Sequence, residues 1–217
     1  MKKIRLGILV SGRGSNLQAI IDNIEKGGLS AEIAVVISDQ PDAFALERAR
    51  RHNVPALAIR WKDYETREAY DAALAAELKR RGVELVCLAG FMRIVTGNLI
   101  KEFPNRIMNI HPSLLPSFPG VHVQKKALKY GVKFSGCTVH FVDEGTDTGP
   151  IIIQAVVPVL DTDTEDTLAE RILRQEHKIF SRAIQLFAEG RLKIEGRRVL
   201  IADAASDKVC DDFLINP

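Results

Sequence analysis

The sequence predicts an α/β fold: an open, mostly parallel, twisted sheet with helices on both faces. Two observations carry that expectation. Apolar runs of strand length alternate with segments of helical spacing through the first half of the chain, the order in which helices cross over between parallel strands. The run Leu85–Ala89 is apolar without a break, as in a strand buried on both faces.

Each element follows in order. A strand is expected at Ile4–Val10, then a glycine-rich turn and a helix from about Asn16 to Lys26. Ser15 and Gln18 have capping-box spacing at its start, and Gly27-Gly28 ends it. A second strand is read at Ile33–Ser38 and a helix at Phe44–Arg51, stopped by Asn53-Val54-Pro55. A short strand, Ala56–Ile59, precedes a long alanine-rich helix from roughly Tyr64 to Arg81, terminated by Gly82. After the strand at Leu85–Ala89, the apolar run Arg106–Ile110 reads as another buried strand. The pattern then changes. A loop with Pro112, Pro116, Pro119 and Gly120 leads to a helix at Gln124–Tyr130. Strands at Gly136–Val142 and Ile151–Val157 flank a turn, Asp143–Pro150. A last helix covers Glu165–Glu189, with Thr162 and Glu165 as a second capping box. From Arg191 on, a short hairpin and an acidic tail are expected. No linker or repeat is visible, so 1–190 is read as one domain and 191–217 as its C-terminal hairpin and tail.

With 217 residues the chain is long enough for one large core. Thirty basic and 28 acidic residues leave a net charge of +2, which argues against a nucleic-acid platform but not against a small phosphorylated ligand. Cys87, Cys137 and Cys210 are far apart and show no metal-ligand spacing, nor do the five histidines, so no metal is expected. Cys87 and Cys137 sit in apolar runs and read as packing residues. The N-terminus lacks a cleavage-site pattern, and no apolar run is long enough to cross a bilayer, so the expected compartment is the cytoplasm, with no membrane partner.

Four segments carry chemistry. In Ser11-Gly12-Arg13-Gly14-Ser15-Asn16-Leu17-Gln18, glycines let backbone N–H groups approach an anion at a helix N-terminus, and a phosphate is the natural guest. The turn is neither a full dinucleotide fingerprint, since Leu17 replaces the third glycine, nor a Walker loop. Taken alone it also serves as a tight strand-to-helix turn. Leu88-Ala89-Gly90-Phe91-Met92-Arg93-Ile94-Val95 leaves the carboxyl end of a central strand, the edge where open parallel sheets bind ligands. Its apolar residues would line a slot for a flat heterocycle, or tuck into the core. In Asn109-Ile110-His111-Pro112-Ser113 an amide and an imidazole stand two apart and so share one face of a strand. Such a pair can hold a carbonyl oxygen that becomes negative during reaction, or simply tie down the loop. Last, Gly136–Pro150 places Asp147 in a tight turn. A carboxylate there, near His111, would raise the imidazole pKa. Asp143 and Glu144 read as hairpin caps, and calcium-ligand spacing is lacking. His52 reads as a helix C-terminal cap and His122 as a neighbour of His111. Glu176 would be a surface charge unless its helix face proves apolar.

Together these segments resemble the glycinamide ribonucleotide (GAR) formyltransferases, folate-dependent enzymes of purine synthesis, over about Ile4–Glu189. The matching motifs are Ser-Gly-x-Gly-Ser-Asn-Leu-Gln, Leu-Ala-Gly-Phe-Met-Arg, Asn-Ile-His-Pro-Ser-Leu-Leu-Pro, and Gly-Cys-Thr-Val-His-Phe-Val with its following Asp-x-Gly-Pro. The last two are shared with other formyltransferases; the first is more particular to the GAR enzymes. The resemblance implies a Rossmann-like formyltransferase fold and formyl transfer from 10-formyltetrahydrofolate to the amine of GAR. It implies Asn109, His111 and Asp147 as the catalytic trio. Gly14, Ser15 and Asn16 would hold the phosphate and Glu176 the ribose hydroxyls. Met92, Arg93, Ile94 and Val95 would form the folate pocket, with Asn109, with Asp143 across it and with Arg67 at the glutamate tail. A homodimer stays open. The alternatives are a formyltetrahydrofolate hydrolase and a non-catalytic nucleotide-binding module.

Overall fold

The computed structural model describes residues 3–202. They form two compact units, one made of residues up to 109 with Phe141–Glu144, the other of Ile110–His140 with residues from 145 on.

In the first unit β1 (Ile4–Val10), β2 (Ala31–Ser38), β3 (Ala56–Ala58), β4 (Leu85–Leu88) and β5 (Ile107–His111) run in the order β3-β2-β1-β4-β5. Every neighbouring pair is parallel. The last two residues of β5, Ile110 and His111, begin the second unit. Helices α1 (Ser15–Glu25), α2 (Phe44–Arg51), α3 (Arg67–Arg80) and α4 (Gly97–Glu102) make the crossovers. The branched side chains of β1 and β4 account for the sheet's burial: Leu6, Ile8, Leu9, Leu85 and Val86 are fully covered. Leu74 and Leu78 of α3 join Leu9, Val86 and Leu99 in one apolar cluster. Truncating such a leucine to alanine costs about 2–5 kcal/mol.

The chain moves outward from β1 to β2 to β3, then returns to lay β4 on the other side of β1. That reversal opens a crevice at the carboxyl ends of β1 and β4, where ligands of doubly wound sheets bind.

The second unit contains α5 (Val123–Tyr130), β6 (Phe134–Phe141), β7 (Ile151–Pro158), α6 (Glu165–Ala188), β8 (Leu192–Glu195) and β9 (Arg198–Ile201). Its strands run β6-β7-β9-β8. The β6/β7 and β8/β9 pairs are antiparallel, and β7 meets β9 in parallel at Ile151 and Arg198. The α/β architecture with a mostly parallel open sheet therefore stands as expected, and β8–β9 is the expected hairpin. The acidic tail and Cys210 lie outside the described residues.

Several boundaries differ for local reasons. Helix α1 starts at Ser15 behind Gly14 in the left-handed region, with no side-chain cap, so the Ser15–Gln18 capping box does not form. Its other end matches: Gly27 N–H donates to Ile24 O and Gly28 N–H to Asn23 O, a Schellman closure. The cap of α6 is Thr164 paired with Thr167, not Thr162 with Glu165. Helix α3 begins at Arg67, because Thr66 Oγ1 accepts from Ala69 N–H and a 3-10 turn occupies Trp61–Asp63. Helix α4, capped by Thr96, was not expected at all, being only six residues long. No helix among the described residues is long and apolar enough to cross a membrane.

Candidate active site

In the first unit, the loops that follow β1 and β4 are tied to each other. Ser11 N–H donates to Gly90 O at 3.0 Å, and Ser11 Oγ accepts from Met92 N–H at 2.8 Å. The β1 loop is drawn tight by Gly14, whose φ is +69° and whose missing Cβ would stand 2.6 Å from Ala45 Cβ. It is held from α2 as well, by Ala45 N–H on Gly12 O and by Arg48 Nε on Arg13 O. The first intrahelical bond of α1 runs from Gln18 N–H to Gly14 O. The N–H groups of Ser15, Asn16 and Leu17 therefore precede the ladder, and no acidic residue stands in the first turn. That is the composition of an anion site. Asn16 is buried and Ser15 half-buried.

The β4 loop divides its apolar residues between two jobs. Phe91 and Val95 are 8% and 6% exposed and belong to the core, whereas Met92 and Ile94 are 67% and 55% exposed. Of the residues assigned to a folate slot, the side chain of Val95 thus points into packing, and Met92 and Ile94 stand open. Arg93 Nε donates to Asp39 Oδ2 at 2.8 Å. Asp71, buried in α3, accepts from Thr96 N–H, and burial holds its carboxyl above the usual range despite that bond. Arg67 is exposed at the first residue of α3, where the helix dipole disfavours a cation. Asn109 is half-buried in the middle of β5, in register with Leu88 of β4. Asp143 is half-buried, and Val142 N–H donates to Ile107 O beside it.

In the second unit, His111 and Asp147 come together. Nδ1 of His111 lies 3.4 Å from Oδ2 of Asp147, with side chains 5% and 13% exposed. The same oxygen accepts from Gly120 N–H at 2.8 Å. Oδ1 stands 3.7 Å from Nε2 of His140, longer than a hydrogen bond but close enough for charge attraction. The other nitrogen of His111 meets the Phe118 carbonyl at 3.0 Å. Asp147 has a φ of +56°, a conformation Asp adopts more readily than most residues, and it turns the carboxylate inward. Burial pushes Asp147 upward, but His140, the Gly120 N–H and the His111 ring outweigh it, so its carboxyl lies below the ordinary range.

The expectation that a carboxylate at Asp147 would pull the His111 pKa upward holds for that interaction, but it does not set the net direction. Asp147 does pull upward, as does the Phe118 carbonyl, but burial outweighs both and the net displacement is downward. Burial thus favours the neutral ring. Both its nitrogens nonetheless face acceptors, and a neutral imidazole can donate to only one. A proton placed on this ring would find two oxygens waiting.

The loop that carries the pair is fixed from below. Thr138 Oγ1 donates to Ser113 O at 2.7 Å and accepts from Leu115 N–H at 3.1 Å and Gln154 Nε2 at 3.0 Å. All three hydrogen-bonding positions of that hydroxyl are used. Ser113 Oγ donates to Ser117 O at 2.6 Å. His140 was not singled out from the sequence. The signal was present, since Thr138 and His140 alternate on one face of β6. The Phe118 carbonyl and Gly120 N–H are backbone groups that no residue-type pattern announces.

Glu176 is 7% exposed, in the apolar stripe of α6 with Ile172, Ile179 and Phe180. Its charge, after burial itself, helps push the Cys137 thiol up. The apolar setting that would lift it above a surface charge is thus present. His122 is exposed at the start of α5, and His52 ends α2 with its ring 2.7 Å from Glu25. Both Cys87 and Cys137 are buried free thiols. Among the described residues no group of three or more His, Cys, Asp or Glu could hold a metal ion.

A family model described as formyl transferase matches residues 4–184. The phosphoribosylglycinamide formyltransferase of Escherichia coli (strain K12) is 43% identical over 187 residues, 86% of this chain and 88% of that protein. The trifunctional purine biosynthetic protein adenosine-3 of Drosophila melanogaster is 50% identical over 191 residues. That match takes in 87% of this chain but only 14% of the fly protein's length. Among solved structures, glycinamide ribonucleotide transformylase 1 of Symbiobacterium toebii is 59% identical, with a TM-score of 0.92 over 93% of this chain and 95% of that one. With most of its length matched in sequence and in fold, the chain belongs to the phosphoribosylglycinamide formyltransferase family.

Proposed function

We propose that this protein transfers the formyl group of 10-formyltetrahydrofolate to the amine of glycinamide ribonucleotide. The observation that carries the reading is the buried His111–Asp147 pair, 3.4 Å apart with a second acceptor on the far side of the ring. The N–H groups at the start of α1, with Ser15 and Asn16, would take the GAR phosphate, and Glu176 its ribose hydroxyls. Arg93 and the open side chains Met92 and Ile94, with Arg67 and Asp143, would take the folate, Val95 adding backbone alone.

The substrate amine is the nucleophile, so no reactive serine or cysteine is required. Its lone pair attacks the formyl carbon, and the carbonyl pair moves onto oxygen. The Asn109 amide donates to that oxyanion, an effect worth about 3–4 kcal/mol for a well-placed donor. His111, neutral at the outset, takes the proton the amine sheds. The imidazolium then stands beside Asp147 and the Phe118 carbonyl, which stabilise it while it adds its charge to the oxyanion's surroundings. Collapse breaks the bond to the folate N10, which receives the proton from His111, and formyl-GAR and tetrahydrofolate leave.

Loss of formylfolate, followed by absorbance with and without GAR, tests the proposal. Loss only with GAR is expected. Loss without GAR would make the protein a hydrolase, and binding of GAR with no loss at all would reduce it to a nucleotide-binding module.

A further inference from the structure

The loop after β4 is shaped by side chains that the reaction does not use, and one of them does more than hold backbone. Asp39, just past β2, is 3% exposed. Its Oδ2 accepts from Arg93 Nε at 2.8 Å and from Gln40 Nε2 at 2.9 Å. Its Oδ1 is buried with no hydrogen-bond partner in the structure. A carboxylate so far from water needs a cation, and the cation it faces is Arg93. The guanidinium of Arg93 lies 5.3 Å from the centre of the Trp61 ring, within cation–π reach. One restraint fixes the Nε edge and the other fixes the plane. With Nε engaged, the two terminal nitrogens of Arg93 donate to no described residue. The hydroxyl of Tyr70, buried without a partner, feels both charges: after burial itself, Asp39 pushes its pKa up, and Arg93 pulls it down.

We propose that Asp39 is a positioning residue for co-substrate binding: with Trp61 it holds Arg93 so that the two free terminal nitrogens are presented, already oriented, to formylfolate. The inference rests on the reading of this loop as the folate site. A loose arginine would surrender its rotamer freedom at the moment of binding; one already held surrenders little.

Trp61 is the chain's one tryptophan, so its emission reports on Arg93 directly. Asp39→Ala is expected to raise the formylfolate KM about 10-fold, with kcat within about twofold and the GAR KM unchanged. Asp39→Asn, which keeps an oxygen acceptor for Nε, should recover most of that loss. In an Arg93→Met background, Asp39→Ala should add nothing further, because the two residues act as one unit. Without any ligand, Asp39→Ala and Arg93→Met should shift Trp61 emission alike. If Asp39→Ala does not fold, Arg93→Lys keeps the charge but has no Nε to hold. It should show the same KM rise, and the residual KM rise of Asp39→Asn alone should disappear in that background; a residual rise that persists there overturns the proposal. A full, multiplying Asp39 effect in the Arg93→Met background overturns the proposal. So does unchanged Trp61 emission in a folded Asp39→Ala protein. Should the wild-type protein not use formylfolate, the folate reading fails by itself, while the ligand-free emission still decides whether Asp39 orients Arg93.

Discussion

The turn between β1 and α1 and the loops that bring His111 to Asp147 both collect polar groups, but they do so in opposite ways. In the turn, the groups that would meet a ligand are consecutive backbone N–H donors, presented by Gly14 and the first residues of α1. Nothing charged has to be buried, and the geometry comes from the backbone. In the loops, a carboxylate and an imidazole from distant parts of the chain are both pulled from water and held by Gly120, Phe118 and the Thr138 network. The first arrangement suits constant recognition of an anion. The second suits a group that changes charge during a reaction, because burial makes each protonation state costly unless a partner answers it.

That contrast can be broken, and the largest effect should come from the buried pair. His111→Ala and Asp147→Asn should each cut kcat by more than about 100-fold while GAR binding stays near normal. Steady-state kinetics with GAR titration checks this, and near-wild-type turnover in either variant would erase the distinction between the two regions. Next comes the turn's backbone. Gly14→Ala places a methyl 2.6 Å from Ala45 Cβ at a φ of +69°, and should cost about 1–3 kcal/mol of stability in denaturant unfolding. It should raise the GAR KM as well; loss of stability alone would mean the turn is only a turn. Smaller again, Ser15→Ala and Asn16→Ala should each raise the GAR KM about 10-fold at unchanged kcat, the loss of one hydrogen bond to a charged group.

The smallest effect concerns pH. His111 has a folded pKa below its unfolded value of 6.5, so the unfolded chain binds the proton more readily. Stability is then full above pH 6.5 and declines as pH falls from there toward the lowered pKa. The carboxyl of Asp147, also lowered, contributes stability that is present above its unfolded value of 3.8 and lost below it. Denaturant unfolding across pH 5 to 8 should show the first decline, and His111→Asn should flatten it. In Asp147→Asn the NMR titration of His111 should move lower still, because an upward pull has gone; a move upward would show that Asp147 does not pull the ring's pKa up.

Legibility followed the same division. The glycine turn, the Phe44–Arg51 helix and the apolar strands were readable because each depends on neighbours within a few residues. The Ser15–Gln18 capping box was misread because Gly14 enters the helix in the left-handed region, which leaves Ser15 inside it rather than before it. Met92, Ile94 and Val95 look alike in hydrophobicity, yet burial sends Val95 into the core and leaves Met92 and Ile94 open. His140 was passed over because its partner is a carboxylate seven residues on, reached only through a turn with a positive φ.

By itself, the order of residues determined the α/β architecture, the glycine turn before α1 and which side chains were candidates for chemistry, since periodicity, glycine placement and side-chain type are local properties. Only the tertiary structure decided the charge of His111 and the company it keeps. A proton's free energy depends on how much water has been removed and on which oxygens stand within a few ångströms, and both are settled by segments that meet in space rather than along the chain.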